Sequence, residues 1–161
     1  MTTAIQGAGA PDALESGLQA VRAMIAGAVA STPLASLPID AGAVVAGGKM
    51  LRGRLALRVG PAAGADPDAF IRAAAAIEMV HGASLLHDDV IDGGRLRRGQ
   101  PAFWVQFGAQ GAILAGDVLL CAALGLLRPL ADRSLTDELI AMIAETCAAE
   151  TEQELIFRGA P

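Results

Sequence analysis

Between Asp66-Pro67 and Gly93-Gly94 the chain runs as one apolar, helix-favouring segment that closes on Asp88, Asp89 and Asp92. Proline at a first helical position starts such a helix and a glycine pair stops it, so the helix reaches about Ile91 and carries its acids at its C-terminal end. Residues four apart share a helical face, so Asp88 and Asp92 point the same way. Asp89 is turned away by about 100°, and His81 lies about 10 Å up the face of Asp88. Like charges one turn apart repel, and the C-terminal end of a helix is the wrong end for negative charge. A bound cation would make the cluster tolerable. Magnesium suits it, because it takes few carboxylates and shares phosphate oxygens with a substrate. A solvated helix end, answered by Arg95, Arg97 and Arg98 just beyond it, accounts for the same residues. No His or Cys cluster has zinc-ligand spacing.

The remaining pattern is helical as well. Alanine and leucine dominate and no alternating strand signal is present. A first helix is expected from Pro11-Asp12 to about Ala30, broken by Ser31-Thr32-Pro33. A second region is interrupted at Gly47-Gly48, resumes to about Val59 and ends at Gly60-Pro61. A loop runs from Gly93-Gly94 to Gly99-Gln100-Pro101. Helix follows from about Ala102 to Leu127 with a break near Gly108, and a last helix from about Leu135 to Phe157, with Ser134 or Thr136 as N-cap. The fold class is therefore all-α, in one domain over residues 1–161, with residues 1–10 as a flexible lead.

Hydrophobic residues make up 53% of the 161 residues, with 19 glycines besides. So apolar a chain either buries an unusual share of its surface or has a face covered by another chain. The net charge of −5 and pI near 4.9 argue against a nucleic-acid partner. Cys121 and Cys147 fall in apolar helical runs and are expected to be buried. Gln110 to Leu127 is the longest apolar run. Asp117 interrupts it, so it is expected to be a buried helix without stable membrane insertion. The N-terminus has neither a basic nor an apolar signal region, so a cytoplasmic protein is expected.

Two basic clusters flank the acids. Arg97 and Arg98 lie in the glycine-bounded loop, and a guanidinium matches phosphate as a bidentate fork. In GGKMLRG, residues 47 to 53, Lys49 and Arg52 share a helical face behind two glycines; a helix break with solvated charges explains that stretch equally. It is not a Walker A loop. Two phosphate-grade clusters around one magnesium-grade acid cluster point to two phosphorylated substrates.

GGKMLRG, IEMVHGASLLHDDVID, LRRGQPA and AGDVLL, in this order and spacing over roughly residues 40 to 157, resemble the trans-isoprenyl diphosphate synthases of the polyprenyl synthetase family. The resemblance implies packed helices around a deep pocket, usually in a dimer, and head-to-tail condensation of isopentenyl diphosphate with an allylic diphosphate. Asp88, Asp89 and Asp92 match the first aspartate-rich motif, in which Asp88 and Asp92 hold Mg2+ on the allylic diphosphate. Arg97 matches the arginine gripping that diphosphate, while Lys49, Arg52, His81 and Arg98 match the isopentenyl diphosphate site. Neutralising the leaving diphosphate lets the allylic C–O bond ionise, and an apolar pocket keeps water from the cation. Ala83 and Ser84 stand where bulky side chains limit product length, and their small size implies a product longer than farnesyl.

The chain departs from the family at Met50, where many members carry a base, and at Gly53, where many carry proline. Members are also much longer, and their second half supplies a second aspartate-rich motif. The expectation is the N-terminal half of a synthase, active with a second subunit that carries that motif. Two other readings are a non-catalytic regulatory subunit of a full-length synthase and a shortened product of a longer gene. Asp117 is expected to be a buried structural acid, His87 a supporting residue on another face than His81, and Trp104 a core residue. Glu150, Glu152 and Glu154 are expected to form a solvated or interfacial face.

Overall fold

The computed structural model describes residues 10–38, 45, 47–62, 64 and 66–157. The flexible lead expected for residues 1–10 lies outside the described residues, apart from Ala10, which opens helix α1. The helices are α1 (Ala10–Ala30), α2 (Leu51–Ala62), α3 (Pro67–Ile91), α4 (Phe103–Leu127) and α5 (Ser134–Glu152). A 3-10 turn, Pro33–Ser36, follows α1, and a π turn, Gln153–Phe157, extends α5. The all-α bundle expected from the sequence is what forms. Helix α3 lies at its centre, packed most extensively along α4 and flanked by α2 and α1, whereas α5 touches α3 and α4 lightly.

The core follows helical periodicity. Leu18, Val21 and Ile25 of α1 are fully buried, as are Ala74, Ala75, Ala76 and Met79 of α3. Alanine on α3 lets neighbouring helices come close. Ala112, Ala115, Leu119 and Ala123 give α4 a buried stripe at the i, i+3, i+4 spacing. The opposite side of α4 is open, with Ile113 and Leu114 exposed. Helices α3 and α4 are each long and apolar enough to cross a membrane by length and composition; here they pack on each other.

Several local expectations need correction. Helix α2 does not stop at Gly60-Pro61 but runs to Ala62. Gly60 is instead a point of close approach, where a Cβ would stand 2.6 Å from the Phe70 ring of α3. Neither Ser134 nor Thr136 caps α5: Arg133 is the cap residue, and the Ser134 amide donates to Asp132 Oδ1 at 2.9 Å. Cys121 and Cys147 are exposed: Cys121 lies off the buried stripe of α4, and Cys147 lines an open cleft. Asp117, expected to be buried, has a side chain 56% exposed. The break at Gly108 is present, with φ 77° and ψ 162°.

The loop after α3 is more ordered than the sequence suggests. Leu96–Arg97 (β1) and Gln100–Pro101 (β2) pair antiparallel. The turn between them is Arg98-Gly99, with φ of 52° and 78°. Positive φ at both central residues is the hairpin turn whose twist suits a two-stranded ribbon.

Candidate functional site

The acid motif owes its position to the way α3 ends. Asp92 is the cap, its amide bonded to the Asp88 carbonyl at 2.8 Å. Gly93 turns left-handed at φ 65°. The Gly93 and Gly94 amides then reach back to the carbonyls of Val90 and Asp89, the paired bonds of a Schellman stop. The chain reverses at once, and the ribbon brings its arginines back over the acids.

Asp89 and Arg97 meet as a fork. Arg97 Nε donates to Oδ2 at 2.6 Å and Nη2 to Oδ1 at 2.7 Å. Asp89 is buried, so this is a charge pair of the kind that requires good geometry to be tolerated. The bond to Asp89 raises the Arg97 pKa further above its ordinary value. Asp88 is in the opposite condition. Burial first, then the charges of Glu150 and Asp92, push its carboxyl above the usual carboxylate range, although Arg97 and His87 pull the other way. Glu150 of α5 thus acts on the motif, a role that the charged-face reading of the sequence missed.

Arg98 reaches the other basic cluster. Its guanidinium lies on Gly48, where a Cβ would stand 2.7 Å from Nη2. Lys49 follows at once and is exposed, and Met50 takes a left-handed φ of 47° with its side chain in the core. The base expected at position 50 is thus replaced by an apolar anchor. Arg52 shares a cleft with His81. Burial, then the positive charge of Arg52, and more weakly Arg97 and Arg98, hold His81 below its ordinary pKa despite Glu78. The structure therefore brings Arg52, Arg97 and Arg98 within electrostatic reach of His81, with Lys49 beside Gly48 in the chain.

The cleft has a volume of about 400 Å³ and its lining is mainly apolar. Ala83 and Ser84 line it, facing Leu120 of α4 and Met142, Ile143 and Cys147 of α5. The Ser84 hydroxyl donates to the His81 carbonyl at 2.9 Å, which turns its polar atom back onto α3. Asp88 and Asp92 are not part of this lining; they follow Ser84 along the same helix. His87 also lines the cleft, and its Nε2 donates to the Ile113 carbonyl at 3.1 Å with Asp117 Oδ1 at 3.5 Å. Trp104 is half-buried; its indole N–H donates to the Gly94 carbonyl at 2.7 Å, and the Arg95 guanidinium lies over its ring.

Among the described residues, no three acid, His or Cys side chains converge into a closed metal cage. Such a cage is not what magnesium needs, since it binds through one or two carboxylates plus substrate phosphates. Burial and, behind it, the charges of Glu150 and Asp92 make the ionised Asp88 costly; a divalent cation relieves that cost, so the Asp88–Asp92 pair fits one.

The second residue that sequence reasoning passed over is Glu78. It is 4% exposed, and its Oε1 accepts the Gly53 amide at 2.8 Å. A proline at position 53 would have no such N–H to offer. The only available signal was an acid placed three residues before His81 on an otherwise apolar helix.

Known proteins resemble this chain in sequence and fold. The polyprenyl synthetase family pattern matches residues 40–157. A short chain isoprenyl diphosphate synthase of Methanothermobacter thermautotrophicus is 38% identical over 128 residues, which are 80% of this chain and 39% of that protein. A geranylgeranyl diphosphate synthase of Methanosarcina mazei is 44% identical over 84 residues, 52% of this chain and 26% of that one. A polyprenyl synthase from Caulobacter crescentus, solved with calcium and isoprenyl diphosphate, superposes with a TM-score of 0.77 at 31% identity. That match covers 92% of this chain and 47% of the Caulobacter chain. A geranyltranstransferase from Thermotoga maritima gives a TM-score of 0.78 at 25% identity, covering 88% of this chain and 55% of the other. The chain thus spans about half or less of each of these relatives, and within that span its sequence and fold place it in the polyprenyl synthetase family.

Proposed function

We propose that this chain, one domain over residues 1–161, is a subunit of a cytoplasmic trans-prenyltransferase that condenses isopentenyl diphosphate with an allylic diphosphate. The observation that carries the reading is the junction at the end of α3: two crowded carboxylates, an arginine ribbon folded back over them, and an apolar cleft starting one turn below. Asp88 and Asp92 would hold Mg2+, which when bound neutralises charge on the departing diphosphate. Arg97, held by Asp89, faces the same diphosphate. Lys49, Arg52, His81 and Arg98 receive isopentenyl diphosphate, and His81, kept neutral among guanidinium groups, donates a hydrogen bond without adding charge. The cleft excludes water from the allylic cation.

The small side chains of Ala83 and Ser84 support a product longer than farnesyl. The exposed apolar side of α2 and the loosely held α5 support a second subunit that closes the cleft and brings the second aspartate-rich motif. Incubating the folded chain with magnesium, isopentenyl diphosphate and farnesyl diphosphate tests this. Elongation only when the complementary subunit is added supports it, and turnover by the chain alone overturns the two-subunit reading. In the active assembly, Ser84→Phe is expected to shorten the product, as judged by chromatography of the dephosphorylated alcohols. An unchanged length would remove Ser84 from the pocket wall.

A further inference from the structure

We propose that Glu78 is a positioning residue, which registers the basic cluster at the start of α2 against α3, the helix that carries the acid motif. The inference rests on the prenyltransferase reading for its functional meaning. Its structural basis is independent of that reading.

The first turn of a helix has amides without intrahelical partners. Among the described residues, the usual remedies are missing at the start of α2. Met50, the residue before it, is left-handed and apolar, and no acid stands in the first turn. Glu78 supplies both things from another helix: an acceptor for the Gly53 amide at 2.8 Å and a negative charge at the positive end of α2. Glu78 is 4% exposed, so little water competes for that bond. Gly53 gives it ordinary van der Waals room, since a Cβ there would lie 3.5 Å from Glu78 Cγ and Oε1.

The consequence for the site follows from neighbours. Arg52 immediately precedes Gly53, and His81 is one turn beyond Glu78 on α3. Both line the cleft. A bond between Gly53 and Glu78 therefore fixes Arg52 next to His81. It also fixes the α2 cluster at a set distance from Asp88, because Glu78, His81 and Asp88 are on one rigid helix. Two substrates that must meet head to tail require such a fixed spacing. Glu78 acts through the backbone of α2; its charge also reaches His81, and Glu78→Gln, which removes the charge and keeps an acceptor, separates the two effects.

The test pairs two readouts on the purified chain. Hydrogen exchange is followed across residues 50–54, and calorimetry measures binding of isopentenyl diphosphate and, separately, of geranyl diphosphate with magnesium. Glu78→Ala is expected to speed exchange in that segment and to weaken isopentenyl diphosphate by about tenfold or more, with geranyl diphosphate changed less than about twofold. Glu78→Gln keeps an acceptor oxygen and is expected to restore most of both. Should Glu78→Ala not fold, Glu78→Asp, which withdraws the acceptor by one methylene, carries the same comparison. Equal weakening of both diphosphates, or unchanged exchange over 50–54, overturns the proposal. If neither the native chain nor its assembly with the complementary subunit binds either diphosphate, the prenyltransferase reading fails, and the exchange measurement alone decides whether Glu78 holds α2.

Discussion

Asp88 and His81 sit on the same helix and are perturbed in opposite directions, and each leaves a mark on stability. The folded chain favours protonated Asp88, because burial, Glu150 and Asp92 all oppose its charge. A group with a raised folded pKa contributes stability that is full below its unfolded pKa and lost as pH rises through the folded value. At neutral pH the metal-free chain therefore carries this carboxylate at a disadvantage. Asp88→Asn is expected to raise the metal-free melting temperature by about 1–2 °C, the size of one relieved i,i+4 repulsion in a domain of this length. The proposed magnesium site predicts that magnesium and a diphosphate stabilise the native chain and that the same variant loses this stabilisation. Scanning fluorimetry with and without both ligands checks it; a lower metal-free melting temperature would show that Asp88 is not strained. His81 has a lowered folded pKa, so its contribution is present above its ordinary 6.5 and is lost as pH falls from there through the lowered value. Urea unfolding at about pH 7.5 and about pH 5.5 should show native stability falling over that window, and His81→Asn should flatten the fall.

At the scale of elements, glycine decides where helices meet. A Cβ on Gly116 of α4 would collide with the His87 imidazole of α3. In an open helix, Gly→Ala stabilises by up to about 1 kcal/mol, whereas overpacking a contact costs about 1–3 kcal/mol. His87 is only partly buried and its ring tip can yield, so Gly116→Ala is expected to destabilise by about 1 kcal/mol. In a His87→Ala background the collision is gone and the same change should stabilise by about 0.5–1 kcal/mol. Denaturant unfolding of the four proteins reads that reversal of sign, and destabilisation in both backgrounds would mean that Gly116 is needed for another reason. Much at this scale was legible in the sequence, because helix ends have local causes: Asp66-Pro67, Gly93-Gly94 and the Gly108 break all fall where breakers stand. The turn at Arg98-Gly99 was not, since strands two residues long carry no alternation and arginine is not a residue expected at positive φ. Exposure was misread at Cys121, Cys147 and Asp117 for a different reason. An apolar helical run says that some face is buried, and which face depends on neighbours that come from elsewhere in the chain. Glu78 was missed in the same way: its partner, the Gly53 amide, is 25 residues distant in sequence.

Across the whole molecule, the apolar residues divide between a packed core and an open side, and the division explains a composition that looked excessive for the chain's size. Leu51, Leu55 and Val59 recur one turn apart along α2, exposed by 65%, 64% and 55%. They point away from the core that α2 shares with α1 and α3. Isolated exposed apolar residues are ordinary, but two leucines and a valine in register on one helix make a strip suited to burial. Leu55→Gln separates the chain's own stability from assembly. In the isolated chain the side chain is mostly in water, so unfolding free energy should change by less than about 0.5 kcal/mol. In a complex that buries the strip, the lost transfer energy of one leucine is about 1.5–3 kcal/mol, equivalent to about ten- to a hundredfold weaker association. Denaturant unfolding of the chain alone and titration of the proposed complementary half into it, followed by prenyl transfer, measure the two quantities. Weakened assembly with unchanged intrinsic stability places the second half of the pocket against α2. Assembly as tight as the native chain's moves that contact to α5 instead, where Ile140 and Met142 are also exposed.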